Sequence, residues 1–300
     1  MNELRPQLAA LKLPPLPQAL PSPVTDAHTH LDMVTERSGL TVEQVVAAAA
    51  AVGVTRLVQV GCDEASSIWA EQFAAAQPSV VANVALHPNE VGRYPERVEQ
   101  GLATIERLAQ AGDHVRGIGE TGLDYYRTTD PADQARQKDA FAAHIELAAA
   151  HDLTLVIHDR DAHDDVLDVL SGSATPARVV MHCFSGDADF ARRCLERGYW
   201  LSFPGTVTFK NNESLRQALA VTPAERMLVE TDAPFLTPAP ERGKTNASYL
   251  IPHTVRFMAE QLGWELDRTC RQLQANAEAA FGGPWGDDVL VPAGSRASQA

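Results

Sequence analysis

Short runs of β-branched and other apolar residues alternate with longer alanine-rich runs along most of the chain. The longer runs place apolar residues at helical spacing and often begin with Asp, Glu or Pro, as amphipathic helices do. Eight candidate strands are found, at residues 24–28, 54–60, 80–86, 115–119, 153–158, 178–183, 199–203 and 227–231. Parallel strands joined by crossover helices produce this alternation. The sequence therefore predicts a TIM (β/α)8 barrel.

The two ends of the chain lack this pattern. Residues 1–22 contain Lys12 and scattered prolines, which break any stretch long enough for a signal peptide or a membrane span. We expect a proline-rich, extended N-terminal lead there. Residues 282–300 carry no amphipathic run, which indicates a mobile C-terminal tail. Residues 23–281 are then predicted to form a single barrel domain, a common size for this fold.

Composition narrows the choice of partners. The net charge of −14 excludes a broad basic face for coating a nucleic-acid duplex, but metal ions and a few arginines can still supply local positive charge. The four cysteines are widely separated and form no CxxC pair, which argues against disulfides or a thiolate zinc site. We expect a cytoplasmic protein, with no membrane partner and no obligatory protein partner.

Ionisable residues recur at the carboxyl ends of the predicted strands. Asp26, His28 and His30 alternate, so in a strand they would point to one side. In a barrel these strand ends meet at one rim, where active sites lie. The residues predicted to converge there are His28, His30, Glu120, His158, His182 and Asp232. Any single one could be a loop hydrogen-bonder or a helix cap, but burying all of them together is costly unless cations hold them.

Two divalent ions suit this set better than one, because all six ligands on one ion would leave no position for water or substrate. Imidazoles and carboxylates fit Mg²⁺, Mn²⁺ or Zn²⁺, and the sequence does not choose. Glu120 is the predicted bridge, with His28, His30 and Asp232 on one ion and His158 and His182 on the other. Asp232 and Glu120 are the predicted catalytic carboxylates of a hydrolase, with Asp232 accepting the proton of the attacking water.

Asp26 has two interpretations. It could orient a ligand histidine from behind, as carboxylates in many metal sites do. It could equally be a strand-end hydrogen-bonder with a structural role.

Seven short blocks occur in order along the chain: TDAHTHLD, ALHPNE, GETGLDYY, VIHDRDA, MHCFSGD, ETDAPFL and RGKTN. Together, from about Thr25 to Phe281, they resemble the TatD family of metal-dependent deoxyribonucleases. The resemblance implies an amidohydrolase-type TIM barrel that uses divalent metals to cleave DNA phosphodiester bonds, as a 3′-to-5′ exonuclease on single strands. The family's metal positions fall on the six residues named above. Nucleic acid is then the expected, transient partner.

The matching blocks also contain residues that would contact a substrate: His87, Arg160, Arg242 and Lys244. Each has a plainer interpretation. His87 could be a loop residue held by the proline after it, Arg160 could pair with a neighbouring aspartate, and the last two could be solvated loop charges.

The sequence departs from the family pattern at two places. Thr121 stands where the family has isoleucine, and Ala247 and Ser248 replace an acid and a proline. The second departure bears on the loop expected to shape substrate entry.

Other functions remain open. An amidohydrolase-type enzyme could act on a small amide or ester, or on an aminoacyl-RNA ester. Many such barrels bridge their metals with a modified lysine at the end of strand 4, where this chain has Glu120. A non-catalytic scaffold would be expected to have lost ligand residues, and none is missing.

Overall fold

The computed structural model describes residues 4–283 and 285–286. Eight parallel strands form one sheet whose order follows the chain. The strands are β1 Val24–Thr29, β2 Val54–Val60, β3 Val80–Val84, β4 Val115–Asp124, β5 Thr154–Arg160, β6 Val179–Met181, β7 Trp200–Phe203 and β8 Met227–Val229. A parallel bridge between Thr29 and Ala233 joins the two edges of the sheet. The predicted TIM barrel is confirmed.

Helices connect successive strands and surround the barrel. They are α1 Leu4–Ala10, α2 Leu31–Ser38, α3 Val42–Ala51, α4 Glu64–Ala76, α5 Pro88–Arg93, α6 Val98–Ala109, α7 Pro131–Ala150, α8 His163–Ser171, α9 Ala188–Leu195, α10 Glu213–Val221, α11 Ile251–Leu262 and α12 Leu266–Ala280. Local sequence sets their ends: Asp130 accepts hydrogen bonds from the first amides of α7, and Gly263 ends α11 in the left-handed conformation.

The alternation of side chains along the strands decides what points into the barrel. In β5, Leu155 and Ile157 belong to the layer between the strands and the helices, whereas Val156 belongs to a second, separate apolar cluster with residues of the other strands. His158 lies two residues beyond Val156 and therefore points the same way. Strand β5, which buries apolar residues on both faces, thus places the His158 imidazole inside the carboxyl end of the barrel.

Strands β4 and β5 run further than predicted because they continue to pair with each other. Their register extends from Gly122 opposite His158 to Asp124 opposite Arg160. Gly122 has a φ of +137°, and a Cβ there would lie 2.1 Å from the carbonyl oxygen of His158. Only glycine permits that approach, so the residue is part of what positions His158.

The expectation of an extended N-terminal lead is wrong for Leu4–Ala10, which form a helix. Leu8 on this helix is only 1% exposed, and the Tyr249 hydroxyl donates to the Pro14 carbonyl at 3.0 Å. The lead therefore packs against the barrel. Its prolines do not prevent the helix, since Pro6 lies in the first turn, where no backbone N–H is needed.

The predicted mobile tail is only partly described. Trp285 is 7% exposed, and its ring meets that of Phe281 edge-on with centroids 6.3 Å apart, which does not fit a mobile segment. Residues 287–300 lie outside the described residues. Within the described part, no helix combines the length and the apolar character needed to cross a membrane. The limits of the single domain, 23–281, stay a prediction.

Candidate metal centre

All six predicted ligand residues meet at the carboxyl end of the barrel. His28 lies on β1 and His30 directly precedes α2, while Glu120 and His158 lie on β4 and β5. His182 and Asp232 follow β6 and β8. The structure thus brings the set together, as the strand-end argument predicts. Their role as ligands stays a prediction.

Glu120 lies at the centre of this arrangement. Its Oε1 atom is 2.5 Å from His158 Nδ1 and 3.0 Å from His182 Nε2. Its Oε2 atom is 3.4 Å from His28 Nε2 and 3.9 Å from His30 Nε2. His87 Nε2 also lies 3.4 Å from Oε1. The two oxygens therefore face different groups of imidazoles, an arrangement that suits a carboxylate shared by two cations.

Asp232 completes the group on the His28 and His30 side. Its Oδ1 atom is 3.5 Å from His30 Nε2 and 4.0 Å from His28 Nε2. Potential ligand atoms of His28, His30 and Asp232 all lie within 4.8 Å of one another, and so do those of His28, Glu120 and His182. These are compact enough to hold cations, although the grouping does not fix how many.

His28 provides an independent test of whether a cation fits. Its side chain is fully buried at 0% exposure, and neither ring nitrogen makes a hydrogen bond, although Nε2 lies 3.4 Å from Glu120 Oε2. Buried polar atoms without partners are rare because they forfeit their hydration. A cation at this position would satisfy the orphaned imidazole, so the residues present fit a metal centre.

Hydrogen bonds behind the imidazoles fix their orientation. His30 Nδ1 lies 3.0 Å from the carbonyl oxygen of Val60, which accepts only from an N–H and so leaves the Nε2 lone pair facing the centre. His158 Nε2 lies 3.3 Å from Asp124 Oδ2, within hydrogen-bond distance. His182 Nδ1 lies 3.0 Å from Glu230 Oε1 but forms no hydrogen bond there, so Glu230 faces this imidazole as a charge only. The sequence analysis missed these two carboxylates, although the GETGLD and ETD blocks contain them.

The charges at the centre support one another. Burial would raise the pKa of Glu120, but the neighbouring His182, His87 and His158 hold it well below its ordinary value. For His158 burial acts in the opposite direction, yet the hydrogen bonds to Asp124 and Glu120 raise its pKa to about 9. Burial and the charge of His182 lower the pKa of His28. Glu120 is therefore ionised at neutral pH.

Of the two interpretations of Asp26, the contacts favour the structural one, in which it forms hydrogen bonds at the strand end. Its Oδ1 atom accepts from the amide of Thr231 at 2.9 Å and from the amide of His28 at 3.3 Å, and its Oδ2 atom accepts from the Thr231 hydroxyl at 2.6 Å. Burial raises its pKa to about 7. Asp26 thus ties β1 to the segment after β8 through backbone groups and contacts no imidazole.

Two cysteines, Cys62 and Cys183, lie beside the centre and line the cavity above it, although the spacing of the cysteines along the sequence argues against a thiolate site. Cys62 Sγ is 3.8 Å from His30 Nδ1 and 4.0 Å from Glu120 Oε2. All four cysteines are free thiols. Cys62 follows β2 closely, so the same strand-end rule that selected the other residues would have found it.

Two of the four predicted substrate residues lie in the centre. His87 Nε2 is 3.4 Å from Glu120 Oε1, while its Nδ1 accepts from the Asn89 amide at 3.0 Å and caps α5. Arg160 lines the cavity above the centre and stacks over the Tyr126 ring at 4.0 Å. It forms no ion pair with the described aspartates, and its contact with substrate stays a prediction.

The other two, Arg242 and Lys244, lie outside the lining of this cavity as far as the structure describes it. Arg242 stacks over the Phe209 ring at 4.2 Å, and Lys244 Nζ pairs with Glu241 at 2.5 Å. Both are exposed on the loop after β8. Arg242 thus adjoins the cavity through Phe209, which lines it, and the substrate contact of Arg242 and Lys244 stays a prediction.

The cavity above Glu120 has a volume of about 680 Å³. Besides the centre, its wall includes Arg93, Arg127 and Arg160 together with Glu90 and Asp159. Arg93 lies 3.5 Å from Glu90 Oε1, so Arg127 and Arg160 are the cations of the wall that could bind an anion. Sequence reasoning did not single out Arg93 and Arg127. They belong to the loops after β3 and β4, the positions at which a barrel places substrate contacts.

The altered loop after β8 is closely tied to the barrel. Ala247 and Ser248 are both buried, and Ser248 Oγ lies 3.4 Å from Thr29 Oγ1. The Asn246 side chain donates to the Thr231 carbonyl at 3.0 Å and to the Phe235 carbonyl at 2.6 Å. The departure from the family pattern therefore leaves the loop ordered by hydrogen bonds.

Comparisons with known proteins agree with this architecture. A solved structure of YjjV, a TatD homologue from Escherichia coli, superposes with a TM-score of 0.78 over 87% of this chain and 98% of that chain, at 24% identity. A phosphotriesterase homology protein from the same organism, complexed with phosphate in its active site, gives a TM-score of 0.61 at 16% identity over 87% of this chain and 99% of that chain. At these identities the likeness concerns the fold.

Sequence comparisons are more specific. An uncharacterized metal-dependent hydrolase, TatD, of Mycobacterium tuberculosis is 43% identical over 87% of this chain and 99% of that protein. The 3′-5′ ssDNA/RNA exonuclease TatD of Erwinia billingiae is 34% identical over 80% of this chain and 92% of its own length. The family model for TatD related DNase matches residues 25–282. With these matches over most of its length, the chain belongs to the TatD family of metal-dependent hydrolases.

Proposed function

We propose that this protein hydrolyses phosphodiester bonds of DNA, removing nucleotides from the 3′ end of single strands. The observation that carries the proposal is the position of Glu120, whose two carboxylate oxygens face separate groups of imidazoles. Such a carboxylate suits a pair of divalent cations, the usual apparatus for displacement at phosphorus. The exonuclease relative supports the choice of substrate.

The residues divide between two cations as follows. His28, His30 and Asp232 would hold one ion, His158 and His182 the other, and Glu120 both. Mg²⁺, Mn²⁺ and Zn²⁺ all fit nitrogen and oxygen ligands. When bound, such ions neutralise charge on a phosphoryl oxygen and acidify water.

The side chains of the protein perform the remaining tasks. Asp232 is the most accessible carboxylate of the centre, with 16% of its side chain exposed, against 5% for Glu120. Burial raises its pKa, but the hydrogen bond to His30 and the charges of His182 and His28 lower it overall. The ionised Asp232 is therefore placed to accept the proton of attacking water.

Substrate binding would use charge outside the centre. The Arg160 guanidinium is free to donate to a phosphate oxygen near His158, and His87 faces the same side of Glu120. Arg242 and Lys244 would attract the polymer from the loop after β8. The free cysteines support a reducing, cytoplasmic location.

The proposal is tested on metal-stripped protein with Mg²⁺, Mn²⁺ or Zn²⁺ added back. A 5′-labelled single strand should shorten stepwise, and a 3′-labelled strand should release labelled mononucleotide first. Glu120→Gln and Asp232→Asn should each lower kcat/KM by about a thousandfold, while circular dichroism shows an unchanged fold. Metal-loaded protein that leaves DNA intact with all three ions would overturn the proposal and redirect the search to RNA esters and small amides.

A further inference from the structure

Aromatic rings paired with arginines surround the mouth of the cavity. Arg160 lies over Tyr126 at 4.0 Å, Arg242 over Phe209 at 4.2 Å and Arg37 over Phe235 at 4.5 Å. We call these three pairs the aromatic rim. Arg160, Phe209 and Phe235 also line the cavity that contains the metal centre. The rim is thus continuous with the proposed site of hydrolysis.

The rim exposes rings that a folded protein normally buries. Tyr126 is 62% exposed and Phe235 is 38% exposed. Among the described residues, the large hydrophobic side chains left exposed are Leu11, Tyr94, Tyr126 and Phe235. Of these, Leu11 alone belongs to the N-terminal lead, and the rings follow β3, β4 and β8. Phe235 lines the cavity, and Tyr126 lies under Arg160, which also lines it, so both exposed rings are available to a ligand that enters the cavity.

A comparison of two adjacent tyrosines shows that Tyr126 is not needed for packing. The Tyr125 hydroxyl donates to Asp165 Oδ2 at 2.6 Å, which anchors the start of the loop after β4. Tyr126 makes no hydrogen bond through its hydroxyl to any described residue, and its main contact is the guanidinium above it. One ring therefore has a structural role, while the other stays exposed beside the cavity.

The chemistry of the rim fits an unpaired nucleotide. An aromatic ring offers a face on which any base can stack, and an adjacent guanidinium can bind the phosphate of the same or the next nucleotide. Paired bases in a duplex already stack on their neighbours and cannot offer their faces. The protein has a net charge of −14, so local arginines rather than overall attraction must bind the strand.

We propose that the aromatic rim binds unpaired bases by stacking, chiefly on Tyr126 and Phe235, and that this stacking makes the protein select single strands over duplexes. The inference rests on the proposed function, since it assigns the substrate contacts of that same site. It extends the site beyond the metal centre by the length of one or two nucleotides, and it assigns Tyr126 of the GETGLDYY block a substrate contact.

The test separates stacking from charge. Binding of fluorescein-labelled strands is measured by anisotropy in Ca²⁺, and gels confirm that the strands stay intact. An oligothymidylate is compared with a strand of equal length made of tetrahydrofuran abasic spacers, which has the same phosphates and no bases. The oligothymidylate should bind at least about tenfold more tightly, and Tyr126→Ala should remove most of that difference.

Two variants serve as controls. Tyr126→Phe retains the ring and should bind like the unmodified protein, and Leu11→Ala removes an exposed apolar residue outside the rim and should change nothing. Equal binding of the two strands, or unchanged binding by both Tyr126→Ala and Phe235→Ala, would overturn the assignment of the rim. The cleavage assay keeps the two proposals apart. If the protein hydrolyses DNA but binds the two strands equally, the assignment of the rim alone is overturned. If it neither hydrolyses DNA nor prefers the strand with bases, the proposed function is overturned as well.

Discussion

Two buried histidines show how differently the two layers of this barrel use the same residue. His28 at the carboxyl end of the barrel and His144 in α7 are both 0% exposed. His144 Nδ1 lies 2.7 Å from the Ala140 carbonyl, and its Nε2 accepts from the Leu86 amide at 3.1 Å. His28 has no hydrogen bond at either ring nitrogen. The hydrogen bonds of buried His144 therefore stabilise the fold, whereas the ring nitrogens of buried His28 remain available to bind a cation.

The contrast extends to the two ends of the barrel. At the amino-terminal end, the Thr154 hydroxyl donates to the Ala280 carbonyl at 2.6 Å, and the Asn276 amide donates to the carbonyls of Ala224 and Met227 at 2.7 Å each. At the carboxyl end, carboxylates and imidazoles crowd together around Glu120. Polar groups that are fully paired report on stability, and those that converge without partners report on a ligand.

The largest expected effects, on metal affinity and on stability, come from replacing each of the two histidines with alanine. His28→Ala should lower metal affinity by at least about a hundredfold, while the free energy of unfolding of the metal-free protein changes by less than about 1 kcal/mol, because an unpaired buried imidazole is lost together with its packing. His144→Ala should leave metal affinity unchanged and destabilise the protein by about 2 to 4 kcal/mol, because the Leu86 amide loses its acceptor and a cavity forms. Calorimetric metal titration and urea unfolding measure the two quantities.

This crossed pattern is the sharpest test of the comparison. A His28→Ala protein with unchanged metal stoichiometry and affinity would remove His28 from the metal centre. A His144→Ala protein that unfolds at the same urea concentration as the unmodified chain would show that the paired imidazole contributes nothing to stability.

An effect of intermediate size should appear as a pH dependence of stability. Burial lowers the pKa of His144 from 6.5 to about 4, against the hydrogen bond with Ala140 that raises it. The unfolded chain then binds this proton more readily than the folded one. Stability should be fully present above about pH 6.5 and should fall by about 3 kcal/mol as the pH drops to about 4.

The control for this effect is His144→Gln, since glutamine can offer an acceptor and a donor without titrating. The difference in unfolding free energy between the two proteins, measured by urea from pH 7 to pH 4, isolates His144 from the other titrating groups. A difference that stays constant across this range would contradict the assignment.

The architecture and the six residues of the centre could be predicted because both follow from local rules. Strand ends of a parallel barrel meet at one rim, and the alternation of Asp26, His28 and His30 fixes a common side. Helix α1 is not predicted by the proline-rich composition of the lead, although Pro6 in its first turn is compatible with a helix. The packing of the lead depends on contacts such as that of Tyr249, far away along the chain.

The carboxylates behind the imidazoles, Asp124 and Glu230, could not be predicted because their positions also depend on contacts between distant parts of the chain. Asp124 and Glu230 lie behind His158 and His182 only because separate strands bring them there. The aromatic rim could not be predicted because the arginines over Tyr126 and Phe235 come from β5 and α2, far from those rings along the chain. Cys62, by contrast, obeys the strand-end rule and could have been found.

The smallest effect is expected at the loop that departs from the family pattern. Ser248 is buried, but its hydroxyl lies a long 3.4 Å from Thr29 Oγ1, whereas the shorter bonds of Asn246 hold the loop. Ser248→Ala should therefore destabilise the protein by no more than about 1 kcal/mol and leave KM and kcat within about twofold of the unmodified enzyme. Thermal unfolding and steady-state kinetics on a labelled strand provide both measurements. A tenfold loss of kcat without loss of stability would mean that Ser248 acts on the metal centre through Thr29 and β1. Ser248, although hydrogen-bonded, would then serve the site as His28 does and not the stability of the fold as His144 does.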